Sequence, residues 1–281
     1  MTKADVKGAN RVGGHLIEAH GLSIGYGKHV VLRDLDLAFP AGECCAIVGR
    51  NGSGKTTLLH TLAGLRPALQ GTVAVQGRRL PEWPRPELAR ILGFLPQHLR
   101  IVFPFTVEEF VAFGRLPWRR RTESGEDAAT MQRVLQELDL AELRQRSFTQ
   151  LSGGEAQRAC LAQVLAQDPR ILLLDEPLAH LDLLHQLRVM RLLERRARQG
   201  RAVVVVLHDL GLAWRLCDRF LVLGDGGARS VASRDGAALR AALQWAYAVP
   251  FGYSPEAGPL LFGGQPPAEG EWEEPAAPER P

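Results

Sequence analysis

The period of the hydrophobic positions changes along the chain, and each period predicts a type of secondary structure. Apolar and polar residues alternate over residues 16–39, which indicates short antiparallel strands with one buried face. Short apolar runs bounded by polar residues follow at 43–48, 71–75, 91–95, 171–175, 202–208 and 219–223. We interpret 71–75 and 91–95 as a strand pair. The runs near 171–174 and 202–207 suit strands buried on both faces of a parallel sheet.

Helical spacing predicts the elements between these strands. We expect helices from residue 55 to about 65 and over 183–199, and helix formers dominate from 106 to about 165. Thr106 and Glu109 fit a capping box that opens a helix. Apolar residues recur at helical intervals further on, and we assign them to core packing: Met131, Val134, Leu135, Leu138 and Leu143.

Strands and helices in this order predict an α/β fold, with a mixed, largely parallel sheet flanked by helices. The chain would carry an N-terminal antiparallel β subdomain and an inserted α-helical subdomain at about 98–165. We place the main domain at 15–235, a C-terminal extension at 236–262 and a flexible arm at 1–14. Residues 263–281 are rich in Pro, Gly and Glu, which predicts a disordered tail.

Composition narrows the classes of protein that fit. The net charge of +3 over 281 residues is too small to argue for nucleic-acid binding by itself. Cys44, Cys45, Cys160 and Cys217 lack metal-ligand spacing and are interpreted as buried thiols. No apolar run approaches the roughly 20 residues that span a bilayer, and we expect no secretory signal. If the protein serves a membrane process, the membrane-spanning part is expected in another polypeptide.

A glycine-rich loop follows the predicted strand at 43–48. GRNGSGKT fills the pattern G-x-x-x-x-G-K-[ST] with Gly49, Gly54, Lys55 and Thr56. Glycines let backbone N–H groups point at phosphate oxygens, and the following helix adds its positive N-terminal end. Lys55 is predicted to reach the β- and γ-phosphates, and the Thr56 hydroxyl to hold Mg²⁺. The predicted nucleotide contacts in this stretch are Gly49, Arg50, Asn51, Gly52, Ser53, Gly54, Lys55, Thr56 and Thr57.

An acidic pair ends the predicted strand at 171–175. ILLLDEP places Asp175 and Glu176 at the carboxyl edge of the sheet, where open α/β sheets bind ligands. Asp175 is predicted to hold Mg²⁺, directly or through water. Glu176 is predicted to act as the general base on the attacking water.

The segment 151–177, LSGGEAQRACLAQVLAQDPRILLLDEP, resembles the signature-to-Walker-B block of ATP-binding-cassette (ABC) ATPases, and the order of motifs over about 16–223 fits as well. The resemblance implies a P-loop NTPase core that binds ATP and Mg²⁺. It also implies that Ser152, Gly153 and Gly154 start a helix and contact the γ-phosphate of ATP held by an opposite subunit.

The same resemblance implies roles for residues outside these motifs. Gln97 matches the Q-loop glutamine, a metal- and water-sensing residue that also links to the membrane subunit, and His208 matches the switch histidine at the γ-phosphate. Tyr26 matches the aromatic residue that stacks on adenine, and Asp182 matches the D-loop aspartate at the dimer seam. Ala179 departs from the pattern, because many members carry Ser or Thr there, so one hydroxyl contact across the dimer is missing.

Two less specific phrases suggest a subfamily. HLDLLHQLRVM and FGRLPW resemble the ATPases of iron-siderophore, haem and vitamin B12 importers. We therefore expect a homodimer of ATPase subunits, peripheral on the cytoplasmic face of the inner membrane. It would bind two transmembrane permease subunits and, through them, a substrate-binding protein. No nucleic-acid partner is expected.

Alternatives stay open at this point. The chain could serve an exporter or another importer, or it could be a non-transport ABC ATPase that assembles cofactors. The basic run formed by Arg115, Arg119, Arg120 and Arg121 could be a solvated helix end, or it could lie near a docking surface or lipid headgroups.

Overall fold

The computed structural model describes residues 14–99, 101–118, 124–254 and 258–261. The described strands are β1 His15–Tyr26, β2 His29–Pro40, β3 Cys44–Gly49, β4 Gln70–Val75, β5 Arg78–Arg79, β6 Leu92–Leu95, β7 Ile171–Asp175, β8 Ala202–Val206, β9 Arg219–Gly224, β10 Gly227–Ala232, β11 Phe251–Ser254 and β12 Gly258–Leu261. The described helices are α1 Lys55–Leu62, α2 Arg85–Ile91, α3 Val107–Ala112, α4 Ser124–Glu137, α5 Gly153–Ala166, α6 Leu183–Arg198, α7 Leu210–Leu216 and α8 Gly236–Tyr247.

An antiparallel sheet with the strand order β2-β1-β4-β5 opens the fold. The prediction of antiparallel strands at 16–39 is confirmed, but the prediction that they are short is wrong. β1 and β2 are each 12 residues long. Their pairing shifts register repeatedly, and such bulges interrupt the apolar–polar alternation without ending the strands.

The central sheet has the order β10-β9-β3-β8-β7-β6, and its strands run parallel from β9 to β6. The predicted pairing of 71–75 with 91–95 is wrong, because β4 joins the antiparallel sheet whereas β6 pairs with β7. Helix α2, which the sequence reading missed, lies between them in the chain. Successive parallel strands bring the residues after β3, β8, β7 and β6 to one carboxyl edge.

The remaining helices differ from prediction mainly at their ends. α1 stops at Leu62 rather than near residue 65, and Gly64 follows in the left-handed region. α2 and α7 escaped prediction because seven residues are too few to establish a helical period. α8 lies within the predicted C-terminal extension. The domain boundaries stay a prediction, and the predicted arm and tail lie, apart from Gly14, outside the described residues.

The helical segment between β6 and β7 packs as the sequence predicted. Thr106 and Glu109 form the expected capping box at α3. Four of the apolar residues at helical spacing are buried: Met131, Val134, Leu135 and Leu138. The fifth, Leu143, is half-buried and packs against the same cluster. The interpretation of Arg115 as a solvated residue is wrong. Its side chain is buried and donates to Asp127 and to the carbonyl of Ala166, while Arg119, Arg120 and Arg121 lie outside the described residues.

Buried side chains cover both faces of the central sheet. Alternate residues of β3 point to opposite sides, so Ala46 and Val48 join one cluster and Cys45 and Ile47 the other. All four cysteines are buried thiols, as predicted. Within the described part of the chain, no helix is both long and apolar enough to cross a bilayer.

Candidate nucleotide site

The glycine-rich loop joins β3 to α1 at the carboxyl edge of the sheet. Gly49 and Gly54 have φ angles of 155° and 98°, a region that disfavours other residues. A Cβ on Gly49 would lie 2.6 Å from the carbonyl oxygen of Leu223, and one on Gly54 would lie 2.8 Å from Val31 Cγ1. No side chain caps the start of α1, so its first N–H groups remain available to an anion.

Lys55 is held inside this loop. Its Nζ donates to the carbonyl oxygens of Gly49 at 2.8 Å and Arg50 at 3.0 Å. Burial lowers the pKa of Lys55, and the nearby carboxylates of Glu176 and Asp175 oppose that shift. An ammonium has three donors, so one remains for a phosphate oxygen. The buried Ser53 hydroxyl also has no hydrogen-bond partner among the described residues.

Glu176 contacts two other predicted site residues through one carboxylate oxygen. Its Oε1 accepts from Gln97 Nε2 at 2.7 Å and contacts His208 Nε2 at 2.6 Å. The three residues follow β6, β7 and β8, which are neighbours in the sheet. Glu176 itself has a φ of 51°, a strained conformation for a residue with a side chain, and such strain is concentrated at functional sites.

Asp175 ends β7 with its carboxylate buried. The residue is 1% exposed, and neither carboxylate oxygen has a hydrogen-bond partner among the described residues. Burial raises its pKa, and the neighbouring Thr56 hydroxyl only partly offsets this shift. An unpartnered buried carboxylate beside a hydroxyl fits a divalent cation with oxygen ligands. Gln97, also predicted at the metal, donates its amide N–H to Glu176.

These groups surround a cavity of about 680 Å³. Its lining contains Val31, which was not predicted, and most of the predicted site residues: Tyr26, Asn51, Gly52, Gly54, Lys55, Thr56, Thr57, Gln97, Glu176 and His208. Ser152, Gly153 and Gly154 are absent from that lining. The structure therefore brings the phosphate loop, Gln97, Glu176 and His208 together and leaves the signature segment 151–155 elsewhere on the same chain.

Tyr26 stands at one end of the cavity, half exposed. Its hydroxyl hydrogen-bonds to Thr57 Oγ1 at 2.9 Å, which fixes the ring relative to α1. The guanidinium of Arg66 lies 4.1 Å from the ring centroid. Arg66 lines a second cavity and not the nucleotide cavity. Arg66 was not predicted, because nothing local in the sequence links it to Tyr26.

The signature segment forms the start of α5. Ser152 Oγ accepts from the N–H of Glu155 at 3.3 Å, and Glu155 Oε2 accepts from the N–H of Ser152 at 2.8 Å. The hydrogen bond from the Ser152 backbone lowers the pKa of Glu155. Ser152 is exposed and can still donate its hydroxyl hydrogen. This helix start is thus a preformed donor group that does not line its own chain's cavity.

The D-loop connects Glu176 to α6. Asp182 caps α6 by accepting from the N–H of His185, and that bond lowers the pKa of Asp182. The carbonyl oxygen of His180 lies 2.9 Å from where a Cβ on Gly154 would stand. Ala179 donates its N–H to the carbonyl of Glu176. The loop is therefore packed against the start of α5 within one subunit.

A second residue missed by the sequence reading is Gln157 on α5. Its Nε2 donates to the carbonyl oxygen of Glu176 at 3.1 Å. The residue lies within the quoted signature block, but its partner is 19 positions away, so spacing gave no signal.

Residues 32–179 match the family model described as ABC transporter, which is more than half of the chain. The chain belongs to the ABC transporter family. It is 48% identical over 211 residues to the hemin import ATP-binding protein HmuV of Streptomyces coelicolor, covering 75% of each chain. ATP binding and hydrolysis are the activities of this family, and the protein is an ABC ATPase.

Solved ABC structures confirm the fold class, a P-loop NTPase core with an antiparallel β sheet and a helical segment. An inward-facing metal-chelate type ABC transporter has a TM-score of 0.72 and 25% identity, with 89% of this chain and 98% of that chain covered. The dimeric structure of a bacterial ABC transporter cassette has a TM-score of 0.70 and 28% identity, with 78% and 99% covered.

Proposed function

We propose that this ABC ATPase is the ATP-hydrolysing subunit of an importer that takes up an iron-siderophore, haem or cobalamin-type substrate. The convergence of Gln97 and His208 on Glu176 beside the phosphate loop supports the hydrolytic role. The hemin import name of the Streptomyces relative and the metal-chelate type of the structural neighbour support the substrate class.

The chain's own residues supply positioning and charge. Lys55 and the N-terminal end of α1 neutralise the phosphate oxygens, and Tyr26 stacks on adenine. Glu176 accepts a proton from the attacking water, while Gln97 and His208 orient its carboxylate. Thr56 and Asp175 would hold Mg²⁺, which supplies charge neutralisation at the β- and γ-phosphates when bound.

The functional unit is a head-to-tail homodimer in this proposal. Ser152, Gly153 and Gly154 do not line their own chain's cavity, so they are free to complete the cavity of a second copy. A helix start with an exposed hydroxyl suits a terminal phosphate. The dimeric arrangement of the bacterial cassette of similar fold supports the same assembly.

The partner surface lies next to Gln97. Leu99, Val102 and Phe103 follow Gln97 and expose their apolar side chains, with Val102 at 68% and Phe103 at 64%. Exposed apolar clusters of this kind mark protein contacts. We assign the cluster to a transmembrane permease, which places the ATPase peripherally at the cytoplasmic face of the membrane. A substrate-binding protein would act through the permease.

The experiment is purification of the tagged chain from native membranes with uptake measured in parallel. We expect a multi-span membrane protein to co-purify, and uptake of haem, a ferric siderophore or cobalamin to stop with Glu176→Gln. Replacement of Val102 and Phe103 by Ser should release the membrane protein, whereas Leu65→Ser, at a site of similar exposure elsewhere, should not. A purely soluble partner set would refute the transport role, and export of the substrate would refute its direction.

A further inference from the structure

The backbone of Glu176 is held in its strained conformation by one hydrogen bond within its own loop and two from outside it. Its carbonyl oxygen accepts from Gln157 Nε2 at 3.1 Å and from the N–H of Ala179 at 3.2 Å. Its N–H donates to the carbonyl of Val206 at 3.2 Å. A φ of 51° costs free energy in a residue with a side chain. These three hydrogen bonds therefore fix the backbone position from which the Glu176 side chain extends.

Of these three hydrogen bonds, the one from Gln157 comes from α5, the helix that begins at the signature segment. Ser152 caps α5, and Gln157 follows five residues later, about 7.5 Å along the axis at about 1.5 Å per residue. The capping box closes the helix start, and Arg158 ties the same turn to the carbonyls of Leu138 and Asp139. A displacement of Ser152 is therefore carried to Gln157 by a rigid helix turn.

The start of α5 also touches the loop that leaves Glu176. The carbonyl of His180 lies 2.9 Å from the position of a Cβ on Gly154, so the two backbones are in direct contact. Both contacts connect the signature segment with the Glu176 loop of the same chain. In the proposed dimer, however, the signature segment and Glu176 of one chain serve different ATP molecules.

We infer that Gln157 is a positioning residue that couples the two ATP sites. Docking of a chain's signature segment on its partner's ATP sets α5. Gln157 then sets the backbone of Glu176 in that chain's own site. The inference rests on the shared-site dimer proposed above. Gln157 of one chain would affect hydrolysis in the ATP site that contains the phosphate loop of the same chain. It would not affect the other ATP site, which is the one that the signature segment of that chain completes.

The first test uses Gln157→Glu, which keeps size and removes the donor. We expect kcat to fall about tenfold, with the ATP dissociation constant within about twofold of wild type, because the lost bond positions the base and does not contact ATP. The Hill coefficient for ATP should fall towards one. Gln163→Glu makes the same charge change on the same helix and should leave kcat, affinity and cooperativity near wild type. An unchanged kcat in Gln157→Glu would refute the inference.

The second test uses mixed dimers in which one tagged chain carries Ser152→Arg. Ser152→Arg blocks the ATP site that the altered signature segment completes. The other ATP site, which contains Glu176 of the altered chain, remains active. Gln157→Glu placed in the Ser152→Arg chain should slow the remaining site about tenfold. The same change placed in the other chain should leave the rate unaltered. Equal slowing from both placements would show that Gln157 merely stabilises the signature helix, and would overturn the inference.

The mixed dimer that carries only Ser152→Arg, with Gln157 unchanged in both chains, tests the proposed shared site separately from the role of Gln157. One Ser152→Arg chain should leave less than half of the wild-type rate, because the remaining site also loses the docking that sets its α5, and two should abolish hydrolysis. Full activity with two altered chains would refute the shared site itself. If the mixed dimer with Ser152→Arg in one chain were inactive, the two sites would hydrolyse ATP only together. The first test, which compares the change in kcat with the change in ATP affinity, would then decide the role of Gln157. Melting temperatures within a few degrees confirm that each variant is folded.

Discussion

Glu176 Oε1 and His208 Nε2 are joined by a contact of 2.6 Å, and Gln97 Nε2 donates to the same oxygen at 2.7 Å. One carboxylate oxygen therefore binds two groups from different strands, while the other carries neither of them. A hydrogen bond between these two atoms requires a proton either on Nε2 of His208 or on the carboxyl group of Glu176. A γ-phosphate contact by His208 requires this bond to be exchanged, which would free Glu176 for water.

Glu176→Gln should therefore remove the base and keep the cavity. We expect kcat to fall by about 100-fold or more, because general-base catalysis contributes about that much. ATP affinity should stay near wild type, and an ATP-bound dimer should accumulate during gel filtration. Normal turnover in this variant would contradict the assignment of Glu176 as the base.

Gln97 and His208 should act as a unit, since they share one acceptor. Gln97→Leu and His208→Leu should each lower kcat. The double variant should lose less than the product of the two effects, by about threefold or more, because neighbours in one network are not additive. Steady-state kinetics on the three variants complete the cycle. Strictly multiplicative losses would show that the two residues act independently of each other.

Asp175→Asn should stabilise the protein in the absence of nucleotide and divalent cation. Replacing a buried carboxylate that lacks a partner with a neutral amide should raise the free energy of unfolding by about 1 kcal/mol. Burial raises the pKa of Asp175 above its ordinary value of 3.8, so the folded state binds the proton more tightly than the unfolded state. The stability of wild type relative to the variant should thus fall as the pH rises through that raised pKa.

Urea denaturation between pH 4 and 8 measures this difference. Glu142→Gln removes an exposed carboxylate and should show no such trend. Added Mg²⁺ with ATP should reverse the order, stabilising wild type and not Asp175→Asn. A variant less stable than wild type at every pH would show that the Asp175 carboxylate is paired.

Arg66 should strengthen ATP binding through its contact with Tyr26, the residue proposed to stack on adenine. Tyr26→Leu should weaken ATP binding about tenfold by removing the ring, whereas Tyr26→Phe should lose only the Thr57 bond and weaken it about threefold. Arg66→Gln should weaken ATP binding about threefold, the size of an exposed cation–π contact. Arg78→Gln removes a similar contact with Trp83, away from the nucleotide cavity, and should leave ATP affinity near wild type. Equal effects from both arginines would contradict a specific role for Arg66.

The two glycines of the signature segment should respond differently to a methyl group. Gly153→Ala has room, with 3.6 Å to the nearest atom, and Ala favours the first helical turn, so thermal stability should hold or rise slightly. Gly154→Ala meets the His180 carbonyl at 2.9 Å and should lower the free energy of unfolding by about 1–2 kcal/mol. Thermal melts of both variants decide the point. Equal stability of the two would mean that the His180 segment yields without cost.

The sequence by itself determined what depends on neighbours along the chain. The phosphate loop between a strand and a helix, the capping box at Thr106, and the acidic pair after β7 are local patterns, and the structure contains each of them. The class of fold followed from the same patterns, because strand and helix periods are local properties of the backbone.

Only the tertiary structure decided which of these pieces meet. Gln97 and His208 stand 79 and 32 positions from Glu176, and they converge because β6, β7 and β8 are adjacent parallel strands. That strand order is set by packing between distant segments, which no local period encodes. The burial of Arg115, the placement of Arg66 on Tyr26 and the bond from Gln157 to Glu176 have the same origin.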